Sequence, residues 1–390
     1  MRRARGMTAA ALLVLATTLG GCAAGGSAHP AETAPSSPAG ASGAPRAAAT
    51  PDPVVGYAEE RLQNLTLRQK VASLFMLHAP GTDPAALRGF VDRYGLGGVI
   101  LMPDNIPATP PALAAETAAT RASDPGLPPL VGIDEEGGDV TRLPWDAQPG
   151  AETLRSQPPA ATQQAFAARA ALLKQAGVNL NFGTIADVTA DPHSFIADRI
   201  LGTDPASAAA RVAASVTGER GTVLSTLKHF PGHGETEADS HHTVPTAAVD
   251  HARWAAQDAP TFRAGIDAGA EVVMFGHLVY SGVDSQPASL SPAWHRILRD
   301  ELGFSGVTIT DDLRMLQDTG LPQYQDAGAN AVAAIAAGNT MVLMIQGAED
   351  PDALIDAVVA AVQSGRIPVA QLDADVRTLL MLRRSIALHG

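Results

Sequence analysis

Val223-Leu224-Ser225-Thr226-Leu227-Lys228-His229-Phe230-Pro231-Gly232-His233-Gly234 is an apolar run that ends in a cation and an imidazole, then breaks at Pro and Gly. Such a run reads as a buried strand opening into a loop, and loops on a rigid scaffold are where chemistry concentrates. The same grammar recurs along the chain. Apolar runs lie at 73–79, 97–102, 130–134, 178–182, 223–229, 271–277, 306–311 and 340–345. Between them are Ala-rich periodic stretches at 84–94, 110–122, 161–175, 206–218, 255–268, 292–301 and 326–337, with closing helices at 351–362 and 369–388. The runs are nearly all apolar rather than alternating, as in a sheet buried on both faces. Strands alternating with helices in this way predict an α/β fold: a (β/α)8 TIM-like barrel forming a single catalytic domain over 54–390. An open doubly wound sheet is the alternative, because the sequence does not show closure. A barrel gathers active residues at the C-terminal ends of its strands. The polar residues ending the runs are Asp134, Lys228-His229, His277 and Asp311-Asp312.

The N-terminus reads as an address. Arg2, Arg3 and Arg5 precede an apolar stretch from Ala9 to Leu19, the n- and h-regions of a signal peptide over 1–21. Leu19-Gly20-Gly21-Cys22 ends that stretch, and Cys22 is the only cysteine. Small residues before a Cys at this point resemble a bacterial lipobox, which implies cleavage before Cys22, lipidation of its thiol and an extracytoplasmic protein anchored to the cell membrane. Residues 22–53 are mostly Ala, Pro, Gly, Ser and Thr and read as a disordered tether. Losing the three early arginines takes the formal charge from −13 to −16. This balance argues against nucleic acid, whose binding rests on Lys and Arg. A monomer is expected.

Three motifs carry candidate chemistry. Asp134-Glu135-Glu136-Gly137-Gly138 follows a strand, where a carboxylate could accept hydrogen bonds from ligand hydroxyls; a solvated acidic turn is the plainer reading. Thr310-Asp311-Asp312-Leu313 ends another strand, where adjacent carboxylates could bind Mg²⁺, cap a helix or supply a nucleophile. Asp312 suits the cap, and Asp311 continues the strand toward the barrel mouth. His229, His233, Asp239 and His241 could supply zinc ligands, but no His-Glu-x-x-His helix is present. Asp239-x-His241 suggests instead a carboxylate that holds an imidazole's tautomer and raises its basicity, as proton transfer to a leaving group and from water requires. His242, His251, His295 and His389 read as surface or structural histidines.

Lys228-His229-Phe230-Pro231-Gly232-His233-Gly234, followed after four residues by Asp239-Ser240-His241, resembles the signature of bacterial β-N-acetylglucosaminidases of glycoside hydrolase family 3. Asp134 to Gly138, Asn181 to Asp187 and Thr310 to Leu313 resemble further family segments in the family's order, and the resemblance covers 55–390. It implies a retaining two-step mechanism with Asp311 as nucleophile and His241, oriented by Asp239, as acid and then base. It implies sugar binding by Asp134, Arg142, Arg199, Lys228 and His229. No metal or cofactor is implied. The implied substrate is a carbohydrate, N-acetylglucosamine-containing muropeptides or disaccharides, attacked from the non-reducing end during cell-wall turnover. Two departures stand out: Asp139 where the family often has Arg, and Ile200-Leu201 where Ser-Phe/Tyr is common. The aromatic content of 4% argues against a long cleft and for a pocket holding one terminal sugar. Residues 232–238 are expected to form a mobile reach carrying Asp239 and His241. A β-glucosidase, a phosphorolytic enzyme on the same fold, a metal-dependent hydrolase and a sugar-binding lipoprotein are the alternatives.

Overall fold

The computed structural model describes residues 52–121, 124, 126–236, 238–346 and 350–389. The signal peptide expected over 1–21, Cys22 and all but the end of the tether expected over 22–53 lie outside the described residues, as does the side chain of His389. Among the described residues there are ten strands: β1 (Phe75–Leu77), β2 (Gly98–Leu101), β3 (Leu130–Ile133), β4 (Leu180–Ile185), β5 (Leu224–Phe230), β6 (Thr246–Asp250), β7 (Val272–Phe275), β8 (Val279–Gly282), β9 (Val307–Thr310) and β10 (Val342–Met344). Eight of them form one parallel sheet in the order β10-β1-β2-β3-β4-β5-β7-β9. A parallel bridge between Ile309 and Met341 joins β9 to the residue before β10 and nearly closes the sheet into a barrel. Closure decides against the open sheet. β6 and β8 pair separately.

Each barrel strand overlaps one of the predicted apolar runs, and its residues are buried. Several helices start where an acid precedes a proline. Asp83, Asp204 and Asp350 each accept a hydrogen bond from a backbone N–H of the first turn, and Pro84, Pro205 and Pro351 follow them. Proline has no N–H to leave unpaired there, so the pairing suits a helix entry. Not anticipated were the helices Pro53–Asn64 and Leu67–Ala72, which are tied to the final helix Val369–His389 through Glu59–Arg377 and Lys70–Asp373.

The few aromatics are concentrated. Phe230, at the end of β5, meets Trp254, Phe262, Phe275 and Trp294 edge-on, with centroids 4.9 to 6.1 Å apart. Edge-to-face contacts add to the area these rings bury. The cluster fixes the strand end that carries Lys228 and His229. Of the histidines read as structural, His251 pairs with Glu301 at 2.9 Å and His295 stacks on Phe275.

Candidate active site

Asp134, Glu136, Arg142, Arg199, Lys228, His229, His241 and Asp311 line one cavity of about 560 Å³ at the C-terminal ends of the strands. Phe195 is the only Phe, Tyr or Trp in its lining among the described residues.

Asp311 follows β9. Its Oδ1 accepts the Asp312 N–H at 2.8 Å, and its Oδ2 lies 4.0 Å from Nε2 of His229. Burial works to raise its pKa, but the His229 and His277 imidazoles, that N–H and Lys228 outweigh it and hold the carboxyl at about 2. It is therefore an anion at neutral pH. His277, just past β7, is buried, and burial pushes its pKa down. Its Nε2 meets the Asp312 carbonyl at 2.9 Å, so that nitrogen carries the proton, and Nδ1 accepts from the Ser289 hydroxyl at 2.7 Å. Asp312 has another task. One oxygen accepts the N–H groups of Arg314 and Ile345, both at 3.0 Å, stapling the loops after β9 and β10. Burial raises this carboxyl to about 7.

The opposite wall comes from the ends of β3, β4 and β5. Lys228 Nζ touches Asp134 Oδ1 and Glu136 Oε1, both at 2.7 Å. Arg199 grips Glu136 with two bonds of 2.9 and 2.7 Å, and Arg142 lies 3.8 Å from Asp134. Burial alone would raise Glu136, yet Lys228 and Arg199 hold it at about 2. The Lys228 pKa is raised in turn, because Asp134 and Glu136 outweigh its desolvation. Cations and carboxylates fixed in this way present N–H donors and carboxylate acceptors at defined points, as ring hydroxyls require. The five binding positions expected from the sequence are thus brought together.

The backbone at β5 is specialised, with cis peptides at Lys228–His229 and Phe230–Pro231. His229 donates from Nδ1 to Asp187 Oδ2 at 2.7 Å, and Asp187 Oδ1 accepts the N–H groups of His229 and His233. Despite burial, these contacts lower the Asp187 pKa. The loop then narrows the mobile reach expected over 232–238. Gly232 has φ +133°, and a Cβ there would stand 2.3 Å from Asp258 Oδ1. Its carbonyl accepts the Tyr280 hydroxyl, the Pro231 carbonyl accepts Trp254 Nε1–H at 2.9 Å, and Thr236 bonds His233 at 3.0 Å. Residues 231–233 and Thr236 are buried, Gly234 and Glu235 are half-buried, and Ala238 is exposed. Beyond it, Asp239 Oδ1 accepts from His241 Nδ1 at 2.6 Å and from its backbone N–H at 2.9 Å. Although its partial burial acts the other way, these bonds lower the Asp239 pKa. His229, His233, Asp239 and His241 form no metal-holding cluster: among the described residues no group of three or more His, Cys, Asp or Glu is placed to hold an ion.

The profile of the glycosyl hydrolase family 3 N terminal domain matches residues 66–382. The chain belongs to glycosyl hydrolase family 3. It is a glycoside hydrolase. A β-hexosaminidase of Chromobacterium violaceum is 36% identical over 282 residues, which cover 67% of this chain and 75% of that protein. A solved family 3 β-N-acetylglucosaminidase from Paenibacillus sp. superposes with a TM-score of 0.77 at 33% identity, over 83% of this chain and 63% of that one. The chain thus spans less than two thirds of that larger protein. A β-N-acetylhexosaminidase from Beutenbergia cavernae gives a TM-score of 0.71 at 30% identity and is covered over 99% of its length.

The two family 3 departures do not reach the cavity. Ile200 and Leu201 are buried in the core, Ile200 against Ile185 and Ile196, and Asp139 is exposed outside the lining. Sequence reasoning gave no role to Glu136 or Asp187. Asp187 obeys the strand-end rule, but the run was ended at Phe182, before Gly183-Thr184, whereas β4 continues to Ile185. His242, read as a surface residue, lines the cavity beside His241.

Proposed function

We propose that this chain is an exo-acting β-N-acetylglucosaminidase that works with retention on N-acetylhexosamine. It would release terminal non-reducing N-acetylglucosamine from peptidoglycan-derived fragments in cell-wall turnover. The observation that carries the chemistry is Asp311, an anion lining the same cavity as His241, whose Nδ1 is held by Asp239. The sugar class rests on the likeness to β-hexosaminidases and β-N-acetylglucosaminidases.

In the first step His241, as imidazolium, gives its Nε2 proton to the glycosidic oxygen while an Asp311 oxygen bonds to the anomeric carbon. The bond from that carbon to the aglycone breaks, and the aglycone leaves as an alcohol. In the second step neutral His241 takes a proton from water. The water oxygen bonds to the anomeric carbon and the ester bond to Asp311 breaks, restoring the carboxylate and the β configuration. Asp239 receives Nδ1–H throughout, which fixes the tautomer and balances the imidazolium charge. An imidazole in this role avoids setting a second carboxylate against the nucleophile, as the usual pair does. Asp134, Arg142, Arg199, Lys228 and His229 would hold the ring hydroxyls.

Incubation with a 5-fluoro N-acetylglucosaminyl donor tests the covalent step. A glycosyl mass added to the peptide bearing Asp311, and absent from Asp311→Asn, is the expected result. Labelling of another residue, or full turnover by Asp311→Asn, would reject the nucleophile.

The signal peptide over 1–21 and the Cys22 thiol support a lipid-anchored enzyme outside the cytoplasmic membrane, with 22–53 as its tether. Palmitate should label the wild type and not Cys22→Ser; equal labelling would remove the anchor.

A further inference from the structure

We infer that Arg314 selects for an acidic aglycone, a sugar carrying a carboxylate next to the scissile bond; this inference rests on the proposed reaction. The cavity is chemically two-sided. Asp134, Glu136, Arg142, Arg199, Lys228 and His229 come from the ends of β3, β4 and β5 and would hold the terminal ring. Asp311 ends β9, on the other side of the barrel. Another part of the lining follows β9 and β10, with Arg314, Met315, Asp318, Ile345 and Gln346, and an aglycone that extends from the sugar wall across these loops meets it. Arg314 is the only cation in that part of the lining among the described residues.

The state of its guanidinium distinguishes Arg314 from the cations of the sugar wall. Arg199 spends two N–H groups on Glu136, and Lys228 touches two carboxylates. Arg314 makes one side-chain bond, from Nε to Asp318 Oδ1 at 2.8 Å. Its two Nη groups have no partner among the described residues. The side chains of Arg314 and Asp318 are 37% and 45% exposed. An exposed i,i+4 pair of this kind holds weakly. A ligand carboxylate that engages two guanidinium N–H groups is a stronger partner than one side-chain oxygen. Arg314 is anchored at its backbone, where its N–H donates to Asp312 Oδ1, three residues from the nucleophile. It can therefore change partners without moving the catalytic carboxylate.

The test compares N-acetylglucosaminyl-β-1,4-N-acetylmuramic acid with its lactyl methyl ester, and uses diacetylchitobiose as a second neutral aglycone. The wild type should prefer the free acid in kcat/KM. Arg314→Gln should lower the acid-to-ester ratio about tenfold, the size of one charge-assisted contact at a half-exposed site. Asp318→Asn, which removes the competing carboxylate, should raise that ratio. High salt should reduce the wild-type preference. A wild-type ratio near one, or equal losses on acid and ester in Arg314→Gln, would overturn the assignment while leaving the proposed hydrolysis intact. No release of N-acetylglucosamine from any of the three by the wild type would overturn both.

Discussion

Asp134, Glu135 and Glu136 are three adjacent acids with two different fates. Asp134 and Glu136 face the cavity and are ion-paired. Glu135 is fully buried, and its Oε2 accepts the N–H groups of Arg142 and Leu143, each at 2.9 Å, which folds the loop that places Arg142. Asp239 invites a separate test because its pair with His241 is exposed, 38% and 58% at the two side chains. Exposed pairs contribute about 0–1 kcal/mol to stability, so Asp239→Asn should leave Tm nearly unchanged. In the proposed reaction its effect falls on proton transfer, whose removal costs roughly 10²–10⁴-fold. The loss should be large for a disaccharide, whose alkoxide leaves poorly, and small for the nitrophenyl N-acetylglucosaminide, whose phenolate needs little protonation. Without the Asp239 charge to balance the imidazolium, the alkaline limb of the disaccharide pH profile should move to lower pH. Equal losses on both substrates with an unmoved profile would remove Asp239 from the acid/base role.

The elements were more legible than their ends. Eight buried parallel strands leave eight apolar runs, and no solvent-facing alternation competes with that signal. Strand ends depend on neighbours. Gly183 interrupts the run of β4, where an added Cβ would meet the Glu135 carbonyl at 2.7 Å, so the residue that looks like a break is a close approach between strands. The missed length hid Asp187 and with it the support of His229. β6 and β8 escaped notice because a two-stranded accessory sheet has mixed burial; β6 has only Val249 buried. The His-rich loop was legible in its chemistry and not in its packing. Gly232 and Gly234 suggest freedom, yet a Cβ on Gly234 would stand 1.9 Å from the Val188 carbonyl, which shows a backbone pressed against its neighbour. Only tertiary contact tells such a glycine from a hinge.

At the scale of the whole molecule, the formal charge of −13 conceals how the acids are divided. One group is buried beside cations or imidazoles: Glu136 and Asp311 sit at about 2, where Lys228 and Arg199, and the His229 and His277 rings, outweigh desolvation. A second group is buried without enough positive charge. Desolvation raises Glu135, Glu219 and Asp312 to about 7 despite their hydrogen bonds, and Asp258 also lies well above its usual value. The two groups set opposite limits on stability. For the first, the folded pKa lies below the unfolded one, so their contribution is present above about pH 4 and lost as pH falls toward 2. For the second, the folded state binds more protons than the unfolded state between about pH 4 and 7, so stability falls as pH rises through that range. Stability should therefore peak in mild acid, and Tm should fall by roughly 3 °C or more between pH 5.5 and 8.5. Glu219 offers a clean probe, because it is fully buried outside the cavity lining and its Oε1 accepts Asn181 Nδ2–H at 2.6 Å. Glu219→Gln keeps an acceptor there and cannot ionise, so it should flatten the fall in Tm while activity on the nitrophenyl substrate keeps its pH profile. A Tm that is level or rising from pH 5.5 to 8.5, or a slope unchanged in Glu219→Gln, would mean that these carboxyls ionise in the fold without cost.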